Sequence, residues 1–263
     1  MNWILIFSFL LIPIKSALCF ENDTTQIHYK RLAITGVGSA LISGLALHQS
    51  AKIWDEDQHS DFHFKDDWSG DGLVQTDEVS HMYVAYKIAQ TAYHILRWDG
   101  FSDRDASLIG TGVSFLILFI VEYPIDSYNA YQGFGKSDLL FNSMGASFMY
   151  LRNRYPSLKC LDLRISNREP PWEWNRLIAQ TRQEYDTWIY WLTYSPFPDK
   201  IPVSLSLGYS SYRTEINEPK RIWHLAFTTS FYELYSFVKK SRNKGDYWGG
   251  YQFPIVEHQF KEK

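Results

Sequence analysis

Residues Thr76–Arg97, TDEVSHMYVAYKIAQTAYHILR, decide the fold. Val79, Met82, Tyr83, Tyr86, Ile88 and Tyr93 recur there at helical spacings, and Thr76 or Asp77 stands where a cap belongs. An amphipathic helix of this kind needs partners to cover its apolar face. The flanking sequence offers three. Leu32–Ala51 is uncharged and sets Gly36, Ala40 and Gly44 four apart, a stripe of small residues suited to close packing. Its length fits a bilayer crossing or a buried core helix, and His48, Gln49 and Ser50 make its end polar. Ser102 to about Tyr123 opens with Ser102-Asp103-Arg104-Asp105 as cap and acidic first turn, runs uncharged from Ala106 to Val121, and ends at Glu122 and Pro124. Ser137 to about Arg154 is capped by Ser137, carries Asp138 in its first turn and stops before Pro156.

These four segments give a mainly α fold: a four-helix core over residues 28–155, followed by an aromatic-rich C-terminal extension, 156–263, with short strands. Glu169-Pro170-Pro171 reads as a linker-like break, and Trp172–Leu192 as a Trp- and Tyr-rich helix, alone or with an extended piece. Val203–Leu207 and Trp223–Thr228 alternate apolar with small or polar residues at period two, with the polar Arg213–Lys220 between them. Two or three strands cannot close a barrel, so a hairpin lying on the helical half is expected.

At the other end, an apolar run from Trp3 to Ile14 leads into Lys15-Ser16-Ala17-Leu18-Cys19 and then the polar Glu21–Thr25, the pattern of a signal peptide over residues 1–19. An uncleaved anchor helix and a lipidated Cys19 are the alternatives. The chain is thus expected in the periplasm or cell envelope. Its 263 residues carry 26 Lys and Arg against 29 Asp and Glu, which leaves no basic surplus for a nucleic-acid backbone. Two cysteines, Cys19 and Cys160, exclude a disulfide framework and a Cys-rich zinc site. Aromatic residues make up 17% of the chain, a proportion in keeping with surfaces at a membrane or around sugars, so an envelope lipid or glycan is the expected partner class.

Several polar residues do not belong on buried helices. Asp77 and His81 are four apart and share one helix face, where the carboxylate can orient the imidazole or share a metal with it. Asp138 and Asn142 repeat the spacing, with Gly145 on the same side. Glu122 emerges from an apolar helix end and needs a partner or a raised pKa. Convergence of His81, Asp77, Glu122, Asp138 and Asn142 would make a polar pocket at one end of the helical core. A second motif competes for this region. Asp67 to Glu78 fits the twelve-residue calcium loop, with Asp67, Ser69 and Asp71 at positions one, three and five, Gly72 at six, Leu73 at seven and Glu78 at twelve. The alternative is an acidic turn that caps the second helix. His59 and His63, flanked by Asp55, Asp57 and Asp61, form either a transition-metal site or a solvated acidic loop. Gly36-Val37-Gly38 and Gly110-Thr111-Gly112 lack a third glycine and a preceding strand, which disfavours a classical nucleotide enzyme.

The succession Asp77-Glu78-Val79-Ser80-His81, Ala85-Tyr86, Arg97-Trp98 with Gly100, Glu122 with Asp126 and Ser127, Gly133-Phe134, and Asp138 with Asn142 and Gly145 resembles an uncharacterised bacterial family of predicted periplasmic proteins and lipoproteins, of YfiM type. The skeleton is similar to the wider VanZ-like group of helical membrane proteins. The resemblance covers residues from about 53 to 152 and departs from the pattern at Glu78, where the family usually carries Lys, and at Gln132, where an aromatic is usual. It implies an envelope location, a four-helix VanZ-like core, a polar pocket and no established reaction, with only a loose association with glycopeptide tolerance. Three functions are then open: binding or envelope maintenance through the pocket; hydrolysis or transfer on a lipid or glycan, with His81 as base, Asp77 orienting it, and Glu122 and Asp138 as acid or metal ligands; and structure stabilised by calcium in the acidic loop.

Overall fold

The computed structural model describes residues 26–53, 59–66, 68, 72–168, 187–196, 201–239 and 250–262. The signal-peptide region with Cys19 and the Pro170-Pro171 break lie outside the described residues. Four helices come first: α1 (Tyr29–Ile53), α2 (Thr76–Trp98), α3 (Asp103–Ile120) and α4 (Lys136–Arg154), with a π-helical turn at Val121–Asp126 closing α3. Strands β1 (Leu161–Asn167), β2 (Trp188–Tyr194), β3 (Ser204–Arg213) and β4 (Pro219–Thr229) follow, then a short helix α5 (Phe231–Lys239) and strand β5 (Phe253–Lys261).

Helices α2, α3 and α4 pack on one another through small residues. Ala85, Ala89, Ala106 and Ala146 are fully or almost fully buried, and two glycines mark where backbones meet. A Cβ on Gly145 would fall 2.0 Å from the Met82 carbonyl oxygen, and one on Gly110 would fall 2.9 Å from that of Ala89. Ser114 Oγ donates to the Ala85 carbonyl at 2.7 Å, which fastens α3 to α2. Helix α1 does not join this packing as a fourth core member. It is held at its N-terminal end, where His28 N donates to Asp99 O, Arg31 Nη1 to Trp98 O and Thr35 Oγ1 to Asp99 Oδ2. Beyond that, Ile34, Val37, Leu41 and Leu45 are exposed, and a Cβ on Gly36 or Gly44 would meet nothing within 4 Å. The caps also differ in part from expectation. Ser102 does cap α3, accepting from Asp105 N, whereas α2 is preceded by Gln75 in a left-handed conformation and α4 by Gly135, neither with a side-chain cap.

The mainly α reading with a four-helix VanZ-like core is corrected by the second half of the chain. It forms a five-stranded antiparallel sheet in the order β1-β2-β3-β4-β5. Ile165 of β1 also bridges Tyr251, with Ile165 N donating to Gly250 O and Gln252 N to Ile165 O, so the segment entering β5 returns to the first strand and the sheet curls on itself. The physical reason for the miss is the polarity of the strands. In β3, Ser204, Ser206 and Ser210 point into the curl and are buried, while Leu205 and Leu207 point out. In β4, His224 and Thr228 are buried and Trp223, Leu225 and Phe227 are exposed. The inner side chains satisfy each other: Thr193 bonds Ser206 and Gln252, Ser206 bonds Thr228, and Ser195 bonds Ser204. Helix α5 sends Glu233 into the curl, where Ser204 donates to it at 2.7 Å and Arg164 pairs with it at 3.0 Å. Helix α2 lies across one end of the sheet. The Tyr83 ring packs at a tilt against that of Tyr190, Tyr86 OH donates to Asp162, and Tyr209 OH donates to the Val74 carbonyl.

Candidate metal centre

The first turns of α2 and α4 lie side by side and bring Asp77 and Asp138 together. One turn further along each helix stand His81 and Asn142, as the four-residue spacing requires. The π-helical turn after α3 departs from helical geometry at Tyr123 and carries the buried Glu122 and the half-buried Asp126 into the same space. A fourth element completes it. Residues 59–66 run alongside 127–134, with His63 N donating to Ser127 O, Phe134 N to His63 O and Lys65 N to Phe134 O. Gly133, at φ +89°, permits this passage, since a Cβ there would sit 2.9 Å from both His63 Cδ2 and Lys65 N. Phe62, Phe64, Tyr123, Tyr128 and Phe134 form an aromatic cluster around the crossing, and Lys65 is thereby placed over the carboxylates.

The distances have a pattern. Lys65 Nζ lies 3.1 Å from Asp77 Oδ2 and 3.5 Å from Asp138 Oδ2, so it holds one oxygen of each. The other oxygens face His81: Nε2 is 3.7 Å from Asp77 Oδ1 and 3.9 Å from Asp138 Oδ1. On the opposite side of the ring, His81 Nδ1 is 3.1 Å from Asn142 Oδ1 and 3.7 Å from Glu122 Oε1. An Nδ1–H donated to the Asn142 carbonyl leaves Nε2 as the nitrogen with a lone pair, directed at the two Oδ1 atoms. Separations of 3.7 and 3.9 Å are too long for hydrogen bonds. They approach the spacing of about 3.0–3.6 Å between two ligands sharing one ion at about 2.1 Å. Asp77, His81 and Asp138 each offer a ligand atom within 4.8 Å of the others. Glu122 Oε1 and Asn142 Nδ2 are buried without a hydrogen bond among the described residues, and both belong to side chains at the centre's edge.

Charge in this enclosure is finely divided. Burial works against an imidazolium at His81, but Asp138, Asp77 and Glu122 outweigh it and raise its pKa to about 9. Burial pushes the Glu122 carboxyl up, to about 8, despite the pull of His81, and lifts Asp126 to about 7. Without a metal, then, protons and Lys65 balance the carboxylates; a divalent ion would take over that role and displace the His81 proton.

All five pocket residues named from the sequence, Asp77, His81, Glu122, Asp138 and Asn142, are thus gathered at one place. Lys65 gave no sequence signal, being one lysine in a loop; only its pairing with Phe134 positions it. Of the calcium-loop residues, Asp67, Ser69 and Asp71 lie outside the described residues; Leu73 is buried, and Glu78 is fully buried and accepts from Ser137 Oγ at 3.3 Å. His63 Nδ1 lies near Ser60 Oγ and Asp61 O, while Asp55 and Asp57 lie outside the described residues. The sheet holds a further set that the sequence did not flag: Ser210 Oγ, 2.8 Å from His224 Nε2, and Glu257 Oε1, 2.5 Å from His224 Nδ1.

Residues 65–154 match the model of a family described as predicted periplasmic lipoprotein (DUF2279). The match spans the whole candidate centre, from Lys65 through Asn142, and is a likeness to an uncharacterised periplasmic family; a VanZ-like relationship gains no support from it. It agrees with the N-terminal reading, and the protein is accordingly one of the periplasm or cell envelope. No curated protein and no solved structure matches the chain.

Proposed function

We propose that this envelope protein binds a divalent transition-metal ion between α2, α4 and the turn after α3, through His81 Nε2, Asp77 Oδ1 and Asp138 Oδ1, with Glu122 alongside. One observation carries the reading: three ligand atoms from two helices converge within 4.8 Å while the opposite face of the same histidine is fixed by Asn142. One nitrogen and two or three carboxylate oxygens suit zinc, manganese or iron better than copper(I) or a thiolate-bound ion. Lys65 holds the outer carboxylate oxygens, and Asn142 sets the tautomer, the outer-shell roles such a site requires.

The test is a thermal melt of the mature protein in zinc, manganese, magnesium and calcium, each with and without chelator. An ion at a hundred times its Kd stabilises by about 2.7 kcal/mol, a rise of about 5–10 °C for a chain of this size. His81→Ala and Asp138→Asn should each remove the rise while the metal-free melt survives. Absence of a shift in every ion would remove the proposal. Hydrolysis of a lipid or glycan is the second reading, favoured by the raised Glu122 carboxyl standing 3.7 Å from His81. Glu122→Gln separates the two, since it should leave ion binding within about tenfold but abolish any acid catalysis.

A further inference from the structure

The described residues have an inverted polarity. Their buried side chains include 29 polar or charged and 18 apolar ones, while 37 large hydrophobic side chains are exposed. A sheet that faces water on its outside and is closed within places its apolar residues inward; here the apolar Ile189, Trp191, Ile222 and Ala226 share the inside with Thr193, Ser206, Ser210, His224, Thr228 and Gln252, which hydrogen-bond among themselves, and with Ser204, which bonds Ser195 and Glu233.

The outward residues form an unbroken belt. Register aligns Tyr194, Leu205, Phe227 and Val256 in one row across four strands, and Leu192, Leu207, Leu225 and His258 in the next. A third row adds Trp223 and Phe260, after which α2 covers Tyr190 and Tyr209. No Lys, Arg, Asp or Glu interrupts these rows. Three rows stand about 13 Å tall, about half of a hydrocarbon core of about 30 Å. Tyr194 and Trp223 stand at opposite rims, where amphipathic rings meet headgroups.

We propose that this outer face of the sheet lies in the acyl-chain layer of one leaflet of a phospholipid bilayer. A protein partner would cover one patch and leave the rest. The helical half exposes apolar residues as well, at Leu108, Val113, Phe115 and Leu116 of α3 and at Ile34, Val37, Leu41 and Leu45 of α1. By length and composition Tyr29–His48 and Asp103–Asp126 are long and apolar enough to lie in a membrane. A polar, internally satisfied interior with an apolar exterior is what a sheet requires when its surroundings are less polar than its core. At the sheet's edge, His258 of β5 ends the second row, while Glu257, Gln259 and Lys261 alternate onto the opposite face, where Glu257 meets His224.

The experiment places single cysteines at Leu207, Leu225 and, as a control in the β3–β4 turn, Glu215, each in a Cys160→Ser background of the mature chain. Each is labelled with an environment-sensitive fluorophore and reconstituted into phosphatidylcholine vesicles containing doxyl-labelled acyl chains. Labels at 207 and 225 should be blue-shifted and quenched about threefold by mid-chain doxyl, with the 215 label still open to aqueous iodide. Equal iodide quenching at all three positions in vesicles would overturn the proposal. So would burial of the 207 and 225 labels without lipid, accompanied by a doubled sedimenting mass, because a second copy would then be the covering partner. An unchanged circular dichroism spectrum confirms in each case that the labelled protein is folded.

Discussion

Asn142 decides which nitrogen of His81 is available. Its Oδ1 takes the Nδ1 proton at 3.1 Å, leaving Nε2 toward Asp77 and Asp138. Replacing it with Ala frees the ring to turn, and metal affinity should fall about 10- to 100-fold while all three ligands remain, measurable by competition with a chromogenic chelator. Asp162 makes a different kind of prediction. Burial alone would raise its pKa, but Lys87, Arg152, Arg164 and the Tyr86 hydroxyl overcome that and lower it to about 2. Its folded pKa therefore lies below the unfolded value of 3.8, so its contribution is present above pH 3.8 and is lost as pH falls toward 2. The amount is about 2 kcal/mol, and an Asp162→Asn protein should lose that part of the acid slope in denaturant titrations between those pH values. His81 has the opposite sign. Raised to about 9, it favours the metal-free fold fully below its ordinary 6.5, and that stability drains away as pH climbs through 9, whereas metal binding strengthens over the same range. Ser210, His224 and Glu257 stand in the order of a hydrolytic triad. Ser210 and His224 are both fully buried, so the hydroxyl is not presented to a substrate, and the trio ties β3, β4 and β5 together. Ser210 should accordingly resist fluorophosphonate labelling, and Ser210→Ala should cost about 1–3 kcal/mol through the unpaired histidine.

At the scale of elements, the small residues of the helices behave in two ways. Gly145 holds α4 against α2, and a Cβ there would collide with the Met82 carbonyl. Gly145→Ala should cost about 3 kcal/mol and also loosen the metal centre, because Asp138 and Asn142 ride on the same helix. Gly44→Ala on α1, where a Cβ meets nothing within 4 Å, should be neutral or stabilise by up to about 1 kcal/mol through helix propensity. The pair of melting curves measures the difference between a packed and an unpacked stripe. From the sequence the two stripes look alike, since periodicity records that one face is free of side chains and not whether anything lies against it. The helix boundaries and the five polar positions at their ends were legible because charges spaced one turn apart beside apolar runs are costly to bury unless they meet one another. Lys65 was not, because its place depends on a backbone pairing between residues 59–66 and 127–134. The sheet was legible only in Val203–Leu207 and Trp223–Thr228. The charged Asp162 and Arg164 of β1 carry no such signal, and only the curl places both of them inside. A reading that assigns apolar residues to the interior misplaces a sheet built the other way round.

At the scale of the molecule, the question is what makes two halves of opposite architecture fold as one. The link is a buried polar chain. Tyr86 on α2 donates to Asp162 at 2.6 Å, Asp162 accepts from Arg164 Nε at 3.0 Å, and Arg164 Nη1 meets Glu233 of α5 at 3.0 Å. Glu233 in turn gathers Ser204 and Ser230 from the ends of β3 and β4. All four principal members are buried, so the cation cannot be removed without leaving Glu233 as a charge in the interior. Arg164→Ala should therefore cost about 3–5 kcal/mol, a fall of about 10–15 °C in Tm. The distribution of that loss is the sharper measurement. If the chain couples the halves, amide exchange should accelerate together in α2 and in β3 and β4, and metal added to the His81 centre should restore protection in the strands as well as the helices. Acceleration confined to the sheet, with α2 and its ion-induced melting shift unchanged, would mean that the helices and the sheet are stabilised separately and only share a surface. Substituting Tyr86→Phe tests the same relay from the helical side. It removes only the first hydrogen bond, at about 1 kcal/mol, and leaves the ion pairs whole, so the loss should be small and still appear in both halves.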